Sequence, residues 1–457
     1  MNSRLLAILL AGTMLFVAPL AEAHRVAGVI TSVRNVRDLL ASADSLWVAT
    51  SGGVSRYSRS TRGLLAHYNS QHGLDSPEVV RLAATQEKGR FVLKAYTKKS
   101  VCRLVGEHFV CKKLERESRR PGQRVSLDYE RGMRVTKRLS LDGATFLGTA
   151  QDGAYFDGQA LEQAGLPDAH VSALSVFADA LYVGTFNGGL ARVSPGNEVL
   201  SLAGPGPLVN ALAAGPNHLF VGTSEGLFQS ADGLSFERID FVEQAVVGLA
   251  FDGTSVWAST PGALYRIPDG GGPPMDVWWI PGGSRSLQKV SAAPGWLWLA
   301  TEDRGAIRMQ LSAQLRSRDR PFEVFDRASG LPSSWSLAVA ARGDGSALVT
   351  TLRSGLAQIG AAQTGQALSL PLHPWGLSAL WDGAGTWVGT QGGAAFVPDA
   401  ALGPTSLAAA AQIEPVEGLP HPCVHALLRD PRTAYRDRIW LGTENGLAWL
   451  HAPTKSN

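Results

Sequence analysis

Two histidines and a cysteine stand within five residues of one another in His421-Pro422-Cys423-Val424-His425. Imidazole nitrogen and thiolate sulfur are the donors that zinc and copper take. On a straight strand these three side chains would share one side, because alternate residues face the same way. Pro422 interrupts the start of any such strand, so the expectation is a strand with a buried Cys423, and no metal or cofactor is assigned. The acidic turns Glu302-Asp303 and Gln151-Asp152 lack the D-x-[DN]-x-[DN]-G run of a calcium loop. There is no G-x-S-x-G elbow, no H-E-x-x-H and no G-x-x-x-x-G-K-[ST]. Catalytic residues are therefore not assigned. What remains suits binding: Glu302, Asp303, Arg304, Trp335, Arg353, Trp375, Gln391, His421, Glu444 and Asn445 offer varied polar groups and two tryptophans at matched places in a repeat. Stacking plus hydrogen bonding is how a sugar is held.

The repeat that carries these residues is visible along the whole chain. LWVATSGGVSRY from Leu46 recurs as TFLGTAQDGAYF from Thr145, LYVGTFNGGLAR from Leu181 and LFVGTSEGLFQS from Leu219. VWASTPGALYRI (Val256), LWLATEDRGAIRM (Leu297), ALVTTLRSGLAQI (Ala347), TWVGTQGGAAFV (Thr386) and IWLGTENGLAWL (Ile439) continue the series. Phe91–Leu104 holds a tenth, degraded copy. The aligned threonines are Thr50, Thr149, Thr185, Thr223, Thr260, Thr301, Thr351, Thr390 and Thr443, spaced by 36 to 53 residues apart from one gap of 99 that holds the degraded copy. Each copy reads as strand, Gly-bearing turn, strand, with a further alternating run on either side, and four strands per repeat of about 40–50 residues make a propeller blade. Three residues before each threonine stand Trp47, Phe146, Tyr182, Phe220, Trp257, Trp298, Leu348, Trp387 and Trp440. Large side chains there are expected to pack between neighbouring blades.

Composition agrees. Gly and Pro number 51 and 25 of 457 residues, which no long helical bundle would tolerate. Charged residues are 18% and hydrophobic ones 45%, which excludes a disordered chain. A net charge of +3 gives no reason to expect nucleic acid as a partner.

GLPSSWSLAVAARGDGSALVTTLRSGLAQI and GLPHPCVHALLRD followed by RIWLGTENGLAWL resemble the two-component regulator propeller repeat. The resemblance covers roughly residues 35–453. It implies a propeller of the kind that forms the periplasmic sensor of a membrane histidine kinase, some of which are thought to sense oligosaccharides. This sequence reaches Asn457 without a membrane span, kinase or DNA-binding domain. A stand-alone exported propeller is the expectation, with signal output left to another chain.

Blade-like windows begin near Val36, Val79, Val135, Val171, Val209, Val246, Val290, Trp335, Trp375 and Val424. The expected fold is all-β: a single closed propeller of about ten four-stranded blades over residues 24–457, with eight or nine as the alternative. No linker or composition shift favours two rings of five. The last blade lacks a fourth strand, and the alternating run at residues 25–33 offers one, which would close the ring and hide two sheet edges. Ahead of it lie Arg4, an apolar run over residues 5–20 and Ala21-Glu22-Ala23, the form of a secretory signal peptide cleaved after Ala23. The run is too short to span a bilayer, so a periplasmic or secreted protein without a transmembrane anchor is expected.

Residues 112–139 interrupt the repeats with ten basic and four acidic residues (Lys112, Lys113, Arg116, Arg119, Arg120, Arg124, Arg131, Arg134, Lys137 and Arg138 being basic). They read as a solvated loop and outer strand, with a docking patch for an anionic glycan or lipid head group as the other reading. Within the degraded copy, a two-residue turn at Gly106-Glu107 sets Cys102 opposite Cys111. A disulfide is expected there, with Cys423 left as a free, buried thiol. Two functions remain open. One is a binding or sensing module for an extracytoplasmic oligosaccharide, peptide or envelope protein. The other is an exported carbohydrate-active hydrolase or lyase on the same scaffold.

Overall fold

The computed structural model describes residues 23–114, 128–130, 133–141, 143–161, 165–279, 286–311, 321–360, 367–368, 372–399 and 413–452. Residues 1–22 of the proposed signal peptide and Arg116, Arg119, Arg120, Arg124 and Arg131 lie outside them. The described residues contain no α-helix and form ten sheets, antiparallel but for one parallel edge strand, numbered in chain order. Their first strands are Val36–Ala41, Val79–Glu87, Met133–Leu141, Val171–Phe177, Val209–Ala214, Gly248–Phe251, Leu287–Ala293, Ser336–Ala341, Gly376–Trp381 and Val424–Arg429. Each expected window falls at the start of one of them. The degraded copy supplies sheet 2.

The repeat motif is a hairpin locked by its threonine. In all nine copies the Thr hydroxyl donates across the turn to the carbonyl of the residue that opens the next strand or directly precedes it, at 2.7–3.2 Å. That bond satisfies a polar group in a side chain no more than 1% exposed. The degraded copy keeps it in weaker form, Thr97 to the Ser100 carbonyl at 3.5 Å. Glycines follow because the turn needs positive φ: Gly53, Gly226, Gly393 and Gly446 lie between 124° and 143°. The aromatic column is buried throughout, no member exceeding 5% exposure. Trp257, Trp387 and Trp440 also place their indole N–H on Asp252, Asp382 and Asp430 at 2.8–2.9 Å.

Near the start of the first strand, nine of the ten sheets slip register by a β-bulge. The bulged side chain turns sideways, and in several sheets it donates to the first carbonyl of the next sheet. Thr136 reaches Val36 O at 2.7 Å, Asn210 reaches Val246 O at 3.0 Å, and Ser172 reaches Val209 O. These bonds define who neighbours whom.

The order they define differs from the expected single ring of ten. First strands pack successively from sheet 4 through sheet 10, and that of sheet 10 then lies against that of sheet 4. Gly442 of sheet 10 faces Val171 of sheet 4, as Gly184 faces Val209 and Gly222 faces Val246. Tyr435 and Arg432 of sheet 10 reach the Pro195 and Asp179 carbonyls of sheet 4 at 3.4 and 2.8 Å. Sheets 1–3 make a separate stack in the order 3, 1, 2, with Gly148 of sheet 3 facing Val36 of sheet 1. All sheets share the same local pattern, so sequence periodicity counts them without ordering them.

The N-terminal segment does pair with the last sheet. Gly28–Ile30 runs antiparallel to Gly446–His451 as its fourth strand, while His24–Arg25 adds a parallel strand to sheet 9. The chain then leaves through Thr31 and Ser32, builds sheets 1–3, and returns at Gly165 and Leu166, where Ser32 bridges Gly165 and the Leu166 N–H meets Thr31 O. Sheets 1–3 are thus spliced between a strand of sheet 10 and sheet 4. The splice is polar and buried. Thr31 Oγ1 donates to Gly52 O at 2.7 Å and meets His67 Nε2 at 3.1 Å, while Asn445 Nδ2 donates to Ser51 O at 2.7 Å.

Cys102 and Cys111 sit opposite one another in the expected register and are joined by a disulfide. Cys423 is free and buried. The described part of the basic interruption is strand: Lys112 and Lys113 end the outer strand of sheet 2, and Lys137 pairs with Asp38 of sheet 1 at 3.0 Å.

Candidate functional site

The turns after the motif threonines and the segments before the first strands meet on one face. In six of sheets 4 to 10 the residue after the threonine donates its N–H to the carbonyl just ahead of the first strand: Phe186 to His170, Ser224 to Leu208, Glu302 to Ser286, Leu352 to Trp335, Gln391 to Trp375 and Glu444 to Cys423, at 3.0–3.3 Å; Pro261, after Thr260, has no N–H to give. Trp335 and Trp375 therefore occupy the same structural position in successive sheets. Trp335 is 40% exposed, and Trp375 is half-buried against His373. Arg353 and Gln391 are exposed on adjacent turns, Asp303 is exposed beside a half-buried Arg304, and Glu302 accepts from Gln288 Nε2 at 2.6 Å. Asn445 differs from the rest: it is 6% exposed, and its amide is held by Ser51 O.

At the centre, first strands of sheets 4 to 10 line a cavity of about 170 Å³. Ser172, Asn210, Lys289 and His425, all on bulges, are among its lining residues. Lys289 donates to Asn210 O at 3.4 Å, and desolvation lowers its pKa.

At the rim, the structure assembles a cluster around Glu444. His425 Nε2 lies 3.2 Å from one carboxylate oxygen and His421 Nδ1 lies 3.7 Å from the other. The Cys423 Sγ also lies within 4.8 Å of this carboxylate and of a His421 ring nitrogen. His170, from the segment leading into sheet 4, places its ring 4.5 Å from that of His425 and stacks on Phe186 at 5.0 Å. Burial, followed by repulsion from His425, lowers the pKa of His170; burial also lowers that of His425 despite Glu444. Burial and the Glu444 carboxylate push the Cys423 thiol up to about 12. Burial alone would raise Glu444, but hydrogen bonds from Cys423 and His425 hold it below the usual carboxylate range.

Of the binding residues expected from sequence, His421 and Glu444 are thus brought into one cluster. The others sit on neighbouring turns of the same face, apart from the inward Asn445. His170, Cys423, His425 and Lys289 fall outside the expected set. The signal for them was the H-x-C-x-H run and the equivalence of the segments before the first strands.

No family model matches the chain, and no curated protein matches it in sequence. Solved structures do resemble it. The extracellular domain of BT3049 from B. thetaiotaomicron, assigned to a hybrid two component system, matches at TM-score 0.51 and 15% identity over 91% of this chain and 56% of that one. That of BT4673 from the same organism gives 0.51 and 14% over 91% and 58%. PorZ, a surface component of the type-IX secretion system of Porphyromonas gingivalis, gives 0.52 and 13% over 91% and 74%. This chain therefore spans little more than half the length of the two matched two-component domains. At these identities the likeness is one of fold alone, a β-propeller. Among the described residues no helix is long and apolar enough to cross a membrane.

Proposed function

We propose that this chain is an extracytoplasmic binding module: a ring of seven sheets, 4 to 10, carrying a three-sheet insertion, which presents a ligand site on the face where the threonine turns meet the segments before the first strands. The ligand class that suits the face best is an oligosaccharide, with an envelope peptide or protein as the other candidate. One observation carries the reading. The repeated N–H to carbonyl bonds, Leu352 to Trp335, Gln391 to Trp375 and Glu444 to Cys423, support reading these turns, with Arg353 and His421 beside them in sequence, as one face. Rigid aromatic platforms among convergent polar groups are what a sugar site needs. The disulfide, the signal-peptide pattern and the extracellular neighbours support a place outside the cytoplasm. Export with cleavage after Ala23 would leave His24, bonded to Glu414 at 2.6 Å, as the first residue.

The test is a screen of the purified mature protein against neutral and uronic-acid-bearing oligosaccharides, followed by product analysis of each hit. Binding without product formation is the expected result. Turnover of a bound glycan would replace the module by a hydrolase or lyase, and absence of any glycan binding would move the proposal to a protein partner.

A further inference from the structure

We propose that the Glu444 cluster is a binding site for one borderline transition-metal ion of the zinc class, held by His170, His425 and Glu444 where sheet 10 meets sheet 4. The three ligands come from separate elements: the segment before sheet 4, the bulge in the first strand of sheet 10, and the turn after Thr443. One ligand atom from each lies within 4.8 Å of the others. Tetrahedral zinc with bonds of about 2.0–2.2 Å needs ligand atoms about 3.3–3.6 Å apart. The cluster must therefore contract by little more than about 1 Å, and none of the three side chains is fully buried, so each has room to turn. Two imidazoles and one carboxylate favour zinc, copper or nickel over calcium or magnesium, which take oxygen.

Three protein ligands leave a fourth position for water or an incoming ligand atom. His425 also lines the central cavity, so that position lies at its rim. His421 Nδ1 stands 3.7 Å from the other carboxylate oxygen and, with Cys423 close by, orients Glu444, the part that outer ligands play at metal sites. The bulge is what makes the site: it takes His425 out of the strand's alternation and turns it to Glu444 and His170. Lys289 is the opposing charge on the cavity side, and its ammonium is directed to the Asn210 carbonyl of sheet 5. Because His170 leads directly into sheet 4 and His425 lies in sheet 10, the ion would also staple those two sheets together.

The test uses the whole mature chain, stripped with chelator and titrated with Zn²⁺ by calorimetry, with melting followed in parallel. The expected result is one ion per chain at micromolar affinity or tighter, and a melting temperature that rises on adding Zn²⁺ and falls back with chelator. His170→Ala with His425→Ala, and separately Glu444→Gln, are each expected to weaken binding at least a hundredfold while the proteins still melt cooperatively. Wild type that binds no stoichiometric ion, or a double variant that binds as tightly as wild type, would overturn the proposal. A thiolate charge-transfer band in the Co²⁺-loaded protein would place the ion on Cys423 and overturn this ligand set. Glycan binding is measured with and without chelator, so the two proposals fail separately.

Discussion

The contact of Gly442 with Val171 decides which sheet follows sheet 10, and it can be tested by exchanging volume across the seam. A Cβ on Gly442 would lie 2.5 Å from Val171 Cγ1 and 3.1 Å from Ala426 Cβ. Val171 is fully buried, so Gly442→Ala should cost about 1–3 kcal/mol through overpacking. Val171→Ala alone should cost about 2 kcal/mol, from two lost methyls and the cavity they leave. Together the changes should compensate, since the space vacated by Val171 receives the new methyl. The expected coupling is about 1–2 kcal/mol in favour of the pair. The molecule already contains such an exchange: in sheet 8 the position before the motif threonine is Thr350, and the residue facing it in sheet 9 is Gly376, whose Cβ would lie 2.6 Å from Thr350 Cβ. The assay is denaturant unfolding followed by tryptophan fluorescence on wild type, both single variants and the double variant. A second cycle pairs Gly442→Ala with Val36→Ala. Val36 faces Gly148, so that cycle should be additive within about 0.5 kcal/mol. Coupling to Val36 in place of Val171 would refute a ring that closes from sheet 10 onto sheet 4.

Two further outcomes follow from the inserted sheets. His67 is half-buried with a pKa lowered to about 4, desolvation being the main cause. Above pH 6.5 it is neutral folded or unfolded; between 6.5 and 4 the unfolded state takes up the proton first, so stability falls with pH by up to about 3 kcal/mol. Unfolding at pH 7 and 4.5 should show this loss in wild type and much less of it in His67→Gln. Intact-mass analysis without reductant should find one alkylatable thiol after denaturation, that of Cys423. Cys102→Ser with Cys111→Ser should lower the stability of sheet 2 by no more than about 2–3 kcal/mol, read by melting, because the bridge closes a short loop.

Much of this fold was legible in the sequence because it is local. A hairpin announces itself through its turn glycine, its motif threonine and the aromatic three residues earlier, so ten sheets could be counted, including the degraded one around Cys102. The Cys102–Cys111 register followed from the position of one turn. The order of the sheets was not legible, because Val36 and Val171 begin nearly identical strands and nothing nearby says which glycine each will face. The rim cluster was missed for a related reason. Alternation assumes a straight strand, and the bulge at His425 breaks it; His170 stands 255 residues away on an element that is a neighbour only because sheet 10 meets sheet 4. Asn445 shows the converse, a polar turn residue that looks outward in sequence and is spent holding Ser51.

The binding face is tested most directly by affinity for the best glycan of the screen, measured by calorimetry for wild type and two folded variants. Trp335→Ala with Trp375→Ala removes the two platforms on the site face, and Leu234→Ala removes a half-exposed apolar side chain from a turn on the opposite face. Loss of an aromatic anchor at a site centre costs about 2 kcal/mol or more. The tryptophan pair should therefore weaken binding at least thirtyfold, while Leu234→Ala leaves it within twofold. Unchanged affinity in the tryptophan pair, or an equal loss in Leu234→Ala, would contradict the placement of the ligand on this face.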